Sequence, residues 1–99
     1  MWSKWPVKHI VFTRHAMTQM FSRSISIDVV KTIVSHHEVL ADYPDDQPYP
    51  SRLLLGFVNE IPFHVILGYN EEIKTGYVIT AYQPDSLQWG QDFKRRNTP

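Results

Sequence analysis

The sequence predicts an α+β fold: an antiparallel sheet of three to five strands covered by two N-terminal helices, with a short C-terminal helix, in the order β-α-α-β-β-β-β-α. Three observations predict it. Residues 14–36 hold two stretches with apolar residues at helical spacing, each preceded by a hydroxyl that can cap it, Thr13 and Ser26. Most of residues 39–82 falls into segments with strand-type patterning, separated by turn residues. The chain has 99 residues, the length of one domain with one modest core. We read residues 1–99 as a single domain, with residues 1–6 as a loose N-terminal segment.

Each element has its own warrant. Val7, His9 and Val11 alternate with Lys8, Ile10 and Phe12, which predicts a strand over 7–12. Thr13 caps a helix over 14–22 whose buried stripe is Ala16, Met17, Met20 and Phe21. Arg23-Ser24-Ile25 is a short connection. Ser26 then caps a helix over 27–36, with Asp28 in its first turn and Val29, Val30, Ile33 and Val34 on one face. Ile25 and Val30 stand at staple spacing.

Residues 39–43 form a weakly patterned strand, and Pro44-Asp-Asp-Gln-Pro-Tyr-Pro50 is a loop. A leucine-rich strand covers 52–58, and Asn59-Glu60 fits a two-residue hairpin turn without the usual glycine. The strand over 63–69 is apolar on both faces except at His64, as expected of a central strand. The last strand covers 75–82. Asp85 then caps a short helix, with Gln88 at capping-box spacing and Trp89 and Phe93 at i, i+4.

Composition excludes several classes. Cysteine is absent, which rules out disulfides, thiolate catalysis and cysteine-ligated zinc. The N-terminus lacks the apolar run of a signal peptide and no stretch is long and apolar enough to span a bilayer, so no membrane is expected and the cytoplasm is the default location. His36-His37-Glu38 lacks a second pair at i, i+4, so no metal and no cofactor is expected. Net charge is zero, with an acidic loop at Asp42, Asp45 and Asp46 and a basic triplet at Lys94, Arg95 and Arg96. The second helix offers too few groups for base reading to serve as a DNA recognition helix.

Arg14-His15-Ala16 in the first helix, the Ser24-Ile25-Ser26 junction, Pro62-Phe63-His64-Val65, and Val78-Ile-Thr-Ala-Tyr82 with Pro84 and Trp89 together resemble one small domain family. It is catalogued as domain of unknown function 4258. The resemblance runs from about His9 to Arg96 and implies a fold similar to the small ribonuclease toxins of the RelE and BrnT kind. It also implies metal-independent cleavage of RNA, with an antitoxin-like protein as partner. The implied catalytic residues are His15, His64 and Arg96, and Thr80 and Tyr82 bind substrate.

Such chemistry needs a base for the 2′-hydroxyl, an acid for the leaving 5′-oxygen and a cation for the phosphorane. Histidine suits the first two and arginine the third, while Lys94 and Arg95 can add phosphate contacts. Each residue also has a structural explanation. His64 serves as a hydrogen-bonded core residue, His15 as a solvated helix residue, Thr80 and Tyr82 as ordinary strand formers, and the basic triplet as a solvated helix end. The competing functional class is a non-catalytic interaction module that self-associates, with the leucine-rich strand as its apolar surface. Convergence of His15, His64 and Arg96 in one cleft separates the two.

Overall fold

The computed structural model describes residues 4–85 and 92–94. Strand β1 (His9–Phe12) is followed by helices α1 (Arg14–Ser22) and α2 (Ile27–Ser35), then by β2 (Glu38–Tyr43), β3 (Ser51–Val58), β4 (Ile61–Asn70) and β5 (Thr75–Tyr82). They form one five-stranded sheet in the order β1-β5-β4-β3-β2, with β4 at its centre.

The sheet is mixed rather than antiparallel. β1 pairs in parallel with β5, His9 opposite Thr75 and Phe12 opposite Val78, whereas all other neighbours are antiparallel. Strand periodicity assigns faces but not partners. The open edge of β5 is where a strand preceding two helices can dock, and that crossover fixes the parallel sense. The predicted C-terminal helix falls largely on residues 86–91, outside the described residues; residues 92–94 form a turn and bend.

Both helices cover one sheet face. Ala16, Met20, Val30, Ile33 and Val34 meet Leu54, Val65, Leu67, Val78 and Ala81 in a continuous buried cluster. The stripe on α1 is narrower than its sequence suggests. Met17 is 41% and Phe21 89% exposed, because α1 rests on β5 near the sheet edge and buries only one line of side chains. The leucines of β3 are buried as well: Leu53, Leu54 and Leu55 lie inside, with α2 packed on their strand.

Local chemistry sets the joints. Thr13 Oγ1 accepts from Ala16 N at 3.1 Å and donates to the Val78 carbonyl at 2.9 Å, so one hydroxyl caps α1 and ties it to β5. Ser26 caps α2 through Val29 N at 3.1 Å. α1 ends in a Schellman turn: Ile25 N donates to Met20 O and Ser24 N to Phe21 O, with Ser24 left-handed at φ 57°. Asn59 and Glu60 both take positive φ, 50° and 67°, as a type I′ hairpin requires. Trp5 and Pro6, in the segment expected to be loose, are held to the sheet. The Trp5 ring stacks on Tyr69 at 4.9 Å, and the Tyr69 hydroxyl donates to Pro6 O at 3.0 Å.

Candidate functional site

Side chains alternate along a strand, so His64 projects from the sheet face opposite Val65 and the helices. It lies in a cross-strand row of Tyr82, His64, Leu55 and Glu38. Phe93 and Lys94 both reach this row. His64 Nε2 stands 2.7 Å from the Phe93 carbonyl, and Lys94 Nζ lies 3.1 Å from Glu38 Oε1.

A carbonyl can only accept, so Nε2 of neutral His64 carries the proton. Nδ1, 3.2 Å from the Tyr82 hydroxyl, therefore accepts a bond from it. The ring is fully buried. Desolvation pushes its pKa below 6.5, partly offset by the bond to Phe93, and the imidazole stays neutral near pH 7. The rings of His64 and Tyr82 meet edge to face at 5.3 Å.

Tyr82 also lines a cavity of about 480 Å³ at the end of β5, together with Arg23, Ile25 and Gln83. β1 reaches only as far as Val78, and among the described residues no strand pairs with the β5 edge beyond it. The Schellman turn delivers Arg23 to that edge. Its Nη1 donates to the Ala81 carbonyl at 2.9 Å and lies 3.3 Å from Gln19 Oε1 and 3.4 Å from Thr80 Oγ1. Thr80 in turn donates to Gln19. Gln19, Thr80 and the β5 edge thus hold one guanidinium in place.

The expected site residues separate into groups. His64 and Tyr82 are brought together. Thr80, two residues before Tyr82 in β5, bonds instead with Gln19 and Arg23. His15 is exposed in the first turn of α1, on the helix side, with the sheet between it and His64. Lys94 is held at β2, three strands across from Tyr82. Arg95 and Arg96 lie outside the described residues.

From sequence, Arg23 belongs only to a short connection between helices. An arginine at a helix C-cap suits the helix dipole and attracts no notice; only the docking of α1 on β5 places it at a cavity.

The other polar clusters are structural. Asp42 pairs with Arg52 at 2.9 Å, and Asp46 accepts from Ser51 at 2.6 Å and from Gln47 N at 2.9 Å. His37 Nδ1 donates to the Ile33 and Val34 carbonyls at 3.0 and 3.1 Å, closing the end of α2. Among the described residues no group of three His, Asp or Glu side chains is placed to hold a metal ion, and no helix is long and apolar enough to cross a membrane.

No curated protein and no solved structure matches the chain. A family model described as a domain of unknown function, DUF4258, matches residues 12–83, from the end of β1 to just past Tyr82. That span takes in α1 with Arg23, the His64 strand and all of β5. The chain therefore belongs to the DUF4258 family of domains of unknown function.

Proposed function

We propose that this domain is a metal-independent endoribonuclease of the small-toxin type, related in fold to the RelE and BrnT toxins. It acts on RNA in the cytoplasm and is neutralised by an antitoxin-like partner. The observation that carries this reading is the Tyr82–His64 hydrogen bond at the wall of a cavity that also holds an arginine.

Tyr82 is the catalytic residue and His64 its positioning residue. As the 2′-oxygen attacks phosphorus, its proton passes to the Tyr82 oxygen while the phenolic proton moves to His64 Nδ1. Nε2 keeps its proton and donates it to the Phe93 carbonyl, which holds the ring in orientation. The bond from phosphorus to the 5′-oxygen breaks, water protonates that oxygen, and the products are a 2′,3′-cyclic phosphate and a 5′-hydroxyl. His64 returns its proton through Tyr82 to the hydroxide that this leaves, which restores the neutral ring and regenerates water. His15 takes no part in this cleft.

Tyr82→Phe removes one hydroxyl and keeps the ring. It is expected to lower the single-turnover cleavage rate of a short RNA by about a hundredfold or more, the lower end of the range for a positioned acid or base. Cleavage by the variant at the wild-type rate, or no cleavage and no growth defect with the wild type, would sink the assignment.

One observation favours a second reading, a self-associating interaction module. Phe21 is 89% exposed and stands one helical turn from the half-exposed Met17. Phe21→Ser should then shift a concentration-dependent dimer to monomer in light scattering. A wild-type monomer at high concentration counts against it.

A further inference from the structure

We propose that Arg23 is the phosphodiester anchor of this domain, a binding residue for the scissile phosphate of RNA; the proposal rests on the reading of the cleft given above. Three features carry it.

The first is charge. Among the described residues the ion pairs are Arg52 with Asp42 and Lys94 with Glu38, and Arg23 has no carboxylate partner. The described groups that meet its positive charge are neutral oxygens, those of Gln19, Thr80 and Ala81. A guanidinium in such a setting keeps its full attraction for an anion.

The second is the geometry of the fork. All three bonds run through Nη1. Among the described residues the Nε–Nη2 edge donates to no group, and two parallel N–H groups on one edge match two phosphate oxygens. The anchored Nη1 removes much of the side chain's rotational freedom before any ligand arrives, so less entropy is lost on binding.

The third is location. Arg23 and Tyr82 line the same cavity of about 480 Å³, so one phosphate can meet the guanidinium while the adjacent 2′-hydroxyl meets Tyr82. Lys94 does not supply this cation, because it is committed to Glu38 on the far strand. A domain with zero formal net charge has little general attraction for polyanions, which makes one fixed cation count for more.

The test uses a fluorescent 2′-O-methyl RNA oligonucleotide, which binds but cannot be cleaved. Fluorescence anisotropy is measured across a salt series for the full chain and for Arg23→Gln and Arg23→Lys. Loss of one charge-assisted contact should weaken binding by Arg23→Gln at least about tenfold. The slope of log affinity against log salt should shrink by roughly 0.7, one single-strand phosphate contact. Arg23→Lys should keep the slope and lose part of the affinity. Equal affinity and slope for wild type and Arg23→Gln overturn the proposal.

Arg23 also ties α1 to β5, so a variant that fails to fold is replaced by wild-type protein titrated with inorganic phosphate. The Nε–Hε resonance of Arg23 should then shift saturably, and its failure to move overturns the anchor. The two proposals fail separately. Arg23-dependent binding without cleavage of natural RNA removes the nuclease and leaves the anchor. Full-rate cleavage by Arg23→Gln removes the anchor and leaves the nuclease.

Discussion

Gly56→Val is expected to cost this domain about 3 kcal/mol or more, the upper end for overpacking a tight core. Gly56 sits in β3 directly beneath α2. A Cβ built there would stand 2.7 Å from Ile33 Cγ1, 2.9 Å from Cγ2 and 3.1 Å from Cβ. Ile33 is fully buried and cannot swing away, so the strain must pass to α2 as a whole. A small domain has about 5–15 kcal/mol in total, so a valine there removes about a fifth to more than half of it.

Denaturant midpoints check this, with Gly56→Ala as the graded step at about 1–2 kcal/mol. Ile33→Ala in the same background should recover part of the loss, since the two sites share one space. A Gly56→Val protein as stable as wild type would show that α2 is not seated on β3 in this way.

His64→Ala is expected to destabilise by about 2–4 kcal/mol. It empties a fully buried position and removes the partner of both the Tyr82 hydroxyl and the Phe93 carbonyl. The same residue links stability to pH. Its native pKa lies below 6.5, its ordinary value in the unfolded chain, because burial disfavours the cation.

Between those two values the unfolded state binds a proton that the native state refuses, so stability falls with falling pH. The contribution is complete above about pH 6.5 and is lost progressively as pH drops towards the native value. His37, also lowered chiefly by desolvation, adds a loss of the same sign. Thermal midpoints from pH 7.5 to 5.5 should therefore decline in the wild type and decline less in His64→Ala. Parallel profiles for the two proteins would refute the assignment of the neutral, buried ring.

Elements with strong local signals were legible in the sequence. Thr13 and Ser26 marked the starts of both helices, because a hydroxyl that satisfies a first-turn N–H acts over three residues and needs nothing from elsewhere. Periodicity placed β5 at residues 75–82 and identified β4 as central, since a strand covered on both faces must be apolar on both.

Partner choice was not legible. The parallel seat of β1 on β5, the exposure of Phe21 and the burial of the β3 leucines depend on how far each layer extends, which no local pattern encodes.

The candidate site divides in the same way. By itself the sequence marked His64 as the one polar residue in an apolar strand, and Tyr82 as a hydroxyl near a strand end, because burial must be reconciled with polarity wherever it occurs. Only the tertiary structure decided their partners. Register put Tyr82 opposite His64, the sheet put His15 on the other side, and the docking of α1 on an open β5 edge brought Arg23 to the cleft. The physical reason is range. Capping, turns and strand alternation act over a few residues, whereas the His64–Tyr82 and Arg23–Ala81 contacts join residues 18 and 58 positions apart and exist only once the sheet and the helix layer have closed.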